Sequence, residues 1–225
     1  MDAAFWHERW HNRQIGFHQA EINPLLQGYW PRLALAGSGK VLVPLCGKSI
    51  DMLYLAELGH NVMGCELSEV AVTEFFTENQ LDYTQHTQHT QHTQAQHQLF
   101  SCDQIQLWQG DFFTLPTAVS HDCSAFYDRA AMIAMPETMR AAYAERLAMS
   151  VAANTQGLLI TLDYPQAMLS GPPFAVSDTW LNTHLSPYFD IELLESSDAL
   201  ADNPKFIKNQ VPWLTENAYL LTRKA

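Results

Sequence analysis

Five short stretches hold residue types whose order and spacing suit ligand binding or group transfer. Pro44-Leu45-Cys46-Gly47-Lys48 carries a glycine, Gly47, where backbone can come close to a ligand, beside Leu45, which can pack on it. Glu66 lies about twenty residues downstream, the spacing at which an acid at a strand end accepts both hydroxyls of a ribose. Asp111-Phe112 joins a carboxylate to an apolar ring, as an adenine requires of its neighbours. Asp128-Arg129-Ala130 supplies a planar guanidinium able to bind a carboxylate or hold an anionic nucleophile. Gly171-Pro172-Pro173-Phe174 reads as a rigid loop at a cleft mouth.

Each stretch also has a plainer reading. Gly47 is not part of a G-x-G-x-x-G fingerprint, so a pyrophosphate cradle is disfavoured. A lone Glu66 at a strand end is commonly just exposed, and its distance from Gly47 tips the balance toward ribose. Asp111 can be a solvated acid before a core Phe112, and Asp128 with Arg129 a surface ion pair.

The elements that must position these residues alternate in type from Lys40 onward, the signature of a mostly parallel sheet with helices on both faces. Residues 40–45, 61–67, 105–112, 124–130 and 157–164 read as strands. In open sheets of this kind, ligands bind beyond the carboxyl ends of the strands near the switch point. The first four stretches above follow the first four of these strands. Helices are expected from Ser49 to Gly59, with Met52, Leu53, Leu55 and Leu58 toward the sheet, from Ser68 to about Asn79, and from Pro136 to about Ser150. Two late runs, 188–196 and 217–224, read as an antiparallel pair at the sheet edge, for seven strands in all. The segment 1–39 crowds Trp6, Trp10, Phe17, Tyr29 and Trp30 without a strand signal and is expected to form helices over the sheet edge or its ligand.

Residues 84–94 read TQHTQHTQHTQ, with His86, His89, His92 and then His97. Histidines three apart on a helix share a face and could hold a metal. The favoured reading is a solvated low-complexity insert over 84–97, because Gln and Thr repeats have few apolar groups to pack.

The chain has 225 residues, 47% hydrophobic and 16% charged, which suits one globular domain over 1–225. The formal charge of -12, from 12 basic and 24 acidic residues, argues against a nucleic-acid partner, whose phosphates call for clustered Lys and Arg. No stretch approaches the ~18 apolar residues that span a bilayer, and no signal core opens the chain, so no membrane partner and a cytoplasmic location are expected. Cys46, Cys65, Cys102 and Cys123 form no C-x-x-C pair and are expected to be reduced thiols.

WHERWHNRQIGFHQAEINPLL, VLVPLCGKSIDMLYLAELGHNVMGCELSEVAVTEFF, YDRAAMIAMP, GPPF and the terminal YLLT together resemble the thiopurine S-methyltransferase family, especially its bacterial branch. The resemblance covers nearly the whole chain, and PLCGKS and W-x6-F-H-Q are its most specific motifs. It implies a seven-stranded, mostly parallel doubly wound sheet with the last strand antiparallel and a helical lid over 1–39. The cofactor would be S-adenosylmethionine, leaving as S-adenosylhomocysteine, with no metal. Cofactor contacts would fall to Trp10, Leu45, Gly47, Glu66 and Arg129, with Asp111 and Phe112 near the adenine. Phe17 and Lys205 would face the substrate, and Arg129 would be the catalytic cation. The acceptor would be a small aromatic thiol or a selenol, with tellurium compounds and tellurite resistance also in view; apart from the resemblance, a monomer is the default expectation.

Two other functions share parts of this pattern. A nicotinamide-dependent dehydrogenase shares the acid after the second strand but lacks its glycine fingerprint here. A non-catalytic adenosyl-ligand module shares the fold, and Arg129 with the aromatic lid argues against it.

Overall fold

A computed structural model describes residues 3–35, 37–89 and 96–225. The N-terminal segment forms α1 (Ala3–His11) and α2 (Pro24–Tyr29), followed by a 3-10 turn at Trp30–Arg32. The first half of the sheet comes from β1 (Lys40–Pro44), α3 (Asp51–Glu57), β2 (Asn61–Glu66), α4 (Glu69–Glu78), β3 (Thr84–His89), β4 (Gln96–Cys102) and β5 (Ile105–Gln109). The second half comes from β6 (Ala125–Arg129), α5 (Glu137–Met149), β7 (Gln156–Asp163), α6 (Asp178–Trp180), β8 (Phe189–Asp198), α7 (Pro204–Lys208) and β9 (Thr215–Arg223).

The strands lie in one nine-stranded sheet in the order β3-β4-β5-β2-β1-β6-β7-β9-β8. Its centre, β5-β2-β1-β6-β7, is parallel, and antiparallel pairs close both edges. All seven expected strands are present, with β8 and β9 antiparallel, so the α/β doubly wound reading holds and the strand count rises from seven to nine.

The two added strands correct the reading of the QHT repeat. Thr84–His89 pairs antiparallel with the following strand, from Thr84 opposite Ser101 to His89 opposite Gln96. Backbone pairing needs no apolar face, so a polar repeat can be an edge strand, and Thr84, Gln85 and His86 stay exposed. The helix required for a shared histidine face is absent from Thr84–His89, and on a strand positions three apart fall on opposite faces. His92 lies outside the described residues. His97 belongs to β4, is fully buried, and donates from Nε2 to the carbonyl of Asp111 at 3.1 Å. Among the described residues no group of His, Cys, Asp and Glu is placed to hold a metal ion.

Alternation along β1 shows why two layers of helix form. Val41 and Val43 join one cluster with Met52 and Leu55 of α3, Phe75 and Phe76 of α4 and Leu26 of α2. Leu42 joins the opposite cluster with Tyr143, Ala144 and Leu147 of α5. Helix α4 starts as expected at Ser68, whose hydroxyl accepts from Ala71 N, and α3 stops before Gly59 at φ +90°. Leu58 departs from expectation: it follows the last turn of α3 and is exposed. Among the described residues no helix is long and apolar enough to cross a membrane.

Candidate functional site

The sheet opens where its strand order reverses. Between β1 and β6 only two register pairs form, Val41 with Ala125 and Leu42 with Phe126, whereas β1 and β2 share five. The carboxyl halves of β1 and β6 therefore diverge into a crevice, the place where open α/β sheets bind ligands.

Backbone conformation is unusual on both sides of this crevice. Leu45, just after β1, has φ +46°, and Ala130, just after β6, has φ +64°. An L-residue held in the left-handed region costs on the order of 1 kcal/mol or more, and such costs gather at ligand sites. Gly47 has φ +53°, and a Cβ there would come within 3.2 Å of Trp10 Cζ2. Glycine is thus favoured twice over, by its dihedral and by the indole of α1 pressed on the turn.

Glu66, the last residue of β2, folds back onto the same turn. Its Oε2 accepts from Gly47 N at 2.9 Å and its Oε1 from Ser68 N at 2.8 Å. Burial pushes its carboxyl above the usual range, and the backbone N–H groups pull it back toward the anion. A carboxylate has about four lone-pair sites, so acceptor capacity remains beyond these backbone donors for a ligand hydroxyl. The acid is thus aimed and fixed before any ligand arrives.

The N-terminal segment covers this turn with aromatic rings. Trp10 is buried and meets Phe17 edge to face at 5.5 Å, and Trp6 meets Phe17 at 5.8 Å. The Trp6 Nε1–H is buried with no hydrogen-bond partner. Trp6 is an addition to the residues expected at the site, and its i, i+4 spacing from Trp10 on α1 is the signal that puts both on one helix face. His18, next to Phe17, is half-buried. Burial first, then the nearby positive charges of Lys48 and Arg129, lower its pKa, while Glu78 and Glu74 raise it.

Arg129 ends β6 and turns to α3 rather than to its neighbour Asp128. Its Nε donates to Asp51 Oδ2 at 2.9 Å and its Nη2 to Ser49 Oγ at 3.2 Å. Asp51 is buried and also accepts from Tyr127 OH at 3.0 Å and from Asn23 N at 2.9 Å. This one carboxylate ties the covering segment, α3 and β6 together. Asp128 accepts instead from Tyr143 OH at 2.6 Å and Met132 N at 3.1 Å, so the surface pair considered for Asp128 and Arg129 does not form. Asp51 carried no sequence signal, since its partner Arg129 lies 78 residues away.

Asp111 and Phe112 separate in role. Asp111 is exposed and caps the next turn, its Oδ1 accepting from Phe113 N. The neighbouring Gly110 N donates to Glu66 O, which places this turn beside the end of β2. Phe112 packs inward against Tyr143 and under the Arg146 guanidinium. Lys205, on α7, is apart from the Gly47 turn: its Nζ donates to the Pro172 carbonyl at 2.7 Å, against the Gly171–Phe174 loop. Burial lowers its pKa, and Arg9 of α1 adds to the effect.

The crevice can therefore hold a ribose by Glu66, cover it with the indoles of α1, and present the Arg129 charge at its far side. The thiopurine S-methyltransferase family model matches residues 1–224. A thiopurine S-methyltransferase of Shewanella baltica is 58% identical over 224 residues, covering 100% of both chains, and one of Shewanella denitrificans is 57% identical with the same coverage. A SAM-dependent methyltransferase structure from Anabaena variabilis superposes with a TM-score of 0.65 at 12% identity, covering 99% of this chain and 95% of that one. The 1,6-didemethyltoxoflavin-N1-methyltransferase of Burkholderia thailandensis, solved with its substrate and S-adenosylhomocysteine, gives a TM-score of 0.63 at 12% identity over 99% of this chain and 87% of its own.

Proposed function

The chain belongs to the thiopurine S-methyltransferase family and is an S-adenosylmethionine-dependent methyltransferase, and from that premise we propose that its acceptor is the sulfur of a small aromatic or heterocyclic thiol, with selenols and tellurium compounds as further acceptors. The observation that carries the proposal is that Glu66 and Arg129 are both fixed to the one turn between β1 and α3, Glu66 by accepting from Gly47 N and Arg129 by donating to Ser49 and Asp51.

S-adenosylmethionine supplies an already activated methyl group, so the chain's task is alignment and exclusion of water. Glu66 receives the ribose hydroxyls with its remaining lone pairs, and Leu45 and Gly47 let the backbone run close beside them. Trp6 and Trp10 close over the site as part of a lid formed by residues 1–39 of a single catalytic domain; the free Trp6 Nε1–H gives the lid one donor to offer. Asp111 is the exposed polar group for the adenine edge, and Phe112 supports it from the core.

Arg129 favours the thiolate over the thiol by placing a positive charge beside the sulfur, which lowers the acceptor's pKa. Its fork is held by Asp51 and Ser49, so the charge is pre-positioned rather than recruited. Holding nucleophile and methyl donor in line supplies up to ~7 to 11 kcal/mol in well-oriented systems. Phe17 lies on the acceptor side of Trp10, and Lys205 acts through the 171–174 loop that it grips at Pro172. A chain of net charge -12 suits a small acceptor better than a polyanion.

Calorimetry with S-adenosylhomocysteine and NAD, followed by an acceptor screen with radiolabelled S-adenosylmethionine, tests the proposal. S-adenosylhomocysteine is expected to bind and NAD not, and Glu66→Gln should weaken S-adenosylhomocysteine at least about tenfold, the worth of one charge-assisted hydrogen bond. Unchanged affinity in that variant overturns the assignment of Glu66, and methyl transfer to oxygen or nitrogen acceptors but not to thiols overturns the acceptor class.

A further inference from the structure

A second concave site lies away from the crevice, where α5 begins and β7 ends. Its cavity of about 650 Å³ is walled by Trp180, Phe174 and Tyr164, with Arg140, Glu137 and Asp163 as its charged groups. None of the crevice residues Trp10, Leu45, Gly47, Glu66 or Arg129 contributes to it.

Arg140 is the unusual group. It is 3% exposed, and its Nε donates to the Met135 carbonyl at 3.3 Å. Its guanidinium carbon sits 5.1 Å from the centre of the Trp180 ring. Among the described residues Nη1 and Nη2 make no hydrogen bond, no carboxylate pairs with the guanidinium, and neither Nη atom is sealed from solvent. A charge withdrawn this far from bulk water is costly unless it is paired, and a carbonyl and a ring face replace only part of its hydration. Arg129 and Arg146, both less buried, are tied more fully: Arg129 to Asp51 and Ser49, Arg146 to the carbonyls of Phe112 and Leu115.

We propose that this cavity is a second ligand site, which takes a monovalent carboxylate carried on a flat apolar body, the carboxylate bridging Nη1 and Nη2 of Arg140. The two Nη groups match the two oxygens of a carboxylate in a parallel fork. The three aromatic walls suit a flat body, which gains from ring contact as well as from burial. Glu137 and Asp163 in the wall disfavour a dianion such as phosphate more than a monoanion, because the cost of nearby like charges grows with the ligand's charge. The site also touches the acceptor side of the enzyme, since Phe174 lines it while Pro172 of the same loop accepts from Lys205.

Calorimetry on protein saturated with S-adenosylhomocysteine, so that the crevice is filled, tests this with three probes: phenylacetate, phenylacetamide and inorganic phosphate. Phenylacetate is expected to bind at least about tenfold more tightly than the amide or phosphate, the range of a charge-assisted hydrogen bond. Ala167→Asp puts a carboxylate at an exposed position of the cavity wall, where it competes for Arg140 without disturbing the core. It should weaken phenylacetate at least about tenfold and leave S-adenosylhomocysteine affinity unchanged. Arg140→Lys keeps the charge, loses the fork, and should weaken phenylacetate as well. Equal binding of acid and amide, phosphate binding as tightly as phenylacetate, or full phenylacetate affinity in Ala167→Asp each overturns the proposal.

Discussion

Asp51 Oδ2 lies 2.9 Å from Arg129 Nε, and it is this contact, not the adjacent Asp128, that fixes the cation at the end of β6. Because Asp51 also accepts from Tyr127 and from the backbone of Asn23, its removal strands three donors at once. Breaking a buried pair from one side costs about 3 to 5 kcal/mol. Asp51→Ala should lose stability on that scale in urea denaturation, and Asp51→Asn, which keeps the acceptor oxygen, a smaller part. A loss below about 1 kcal/mol in Asp51→Ala would show that the segment carrying Asn23 is held by its aromatic packing alone.

Asp128 makes a prediction about pH. Burial raises its pKa from 3.8 to about 6, against the opposing pull of Tyr143 and the Met132 amide. A carboxyl whose folded pKa exceeds its unfolded value binds its proton more tightly when folded, so its contribution to stability is greatest at low pH and is lost as pH rises toward 6. Between pH 4.5 and 7 the loss amounts to about 2 kcal/mol. Asp128→Asn keeps an acceptor for Met132 N and does not titrate. Relative to wild type, it should therefore gain about 2 kcal/mol across that interval. A constant difference between the two proteins over the same interval would place the Asp128 pKa near its ordinary value.

The parallel centre of the sheet was legible because its strands are short apolar runs bounded by turn residues and its helices are longer and capped, as at Ser68. The residues after β1, β2 and β6 were legible as a set because the topology forces strand ends to meet at the switch point. The β3–β4 hairpin was not, since a repeat of three shows neither the alternation of a half-buried strand nor an apolar run. What makes it a strand is pairing along the backbone, which composition does not encode. Asp51 was illegible for a related reason: it looks like any acid in the first turn of a helix, and only the fold brings Tyr127 and Arg129 to it.

The hairpin gives a revised expectation for a deletion of residues 85–93. Each of the six register pairs of β3 with β4 has a polar residue on β3, two of them opposite Phe100 and Leu99, and such pairs contribute only a few tenths of a kcal/mol each. The deletion should cost about 1 to 2 kcal/mol, or roughly 3 to 6 °C in melting temperature for a chain of this size. S-adenosylhomocysteine affinity should hold, because β5 separates the hairpin from β2 and the shortened chain retains His97 on the Asp111 carbonyl. A tenfold loss of affinity would mean that the edge strand shapes the Asp111 turn.

Arg129 separates cofactor binding from acceptor activation. Arg129→Ala leaves Asp51 buried without its cation and should lower stability as well as rate, so both variants are compared at a temperature where each is folded. Arg129→Lys keeps the charge but not the two-point grip on Asp51 and Ser49, and should retain part of the turnover where Ala retains little. If the charge acts on the acceptor, the affinity for S-adenosylmethionine stays within about twofold of wild type. The rate then falls most at pH values below the acceptor's pKa, where the thiol no longer ionises unaided. A mercaptoheterocycle of low pKa should suffer less than an alkyl thiol in the same variant. If both variants bind S-adenosylmethionine about tenfold more weakly while the profile of rate against pH keeps its shape, the guanidinium serves the cofactor carboxylate and the acceptor is held by other groups.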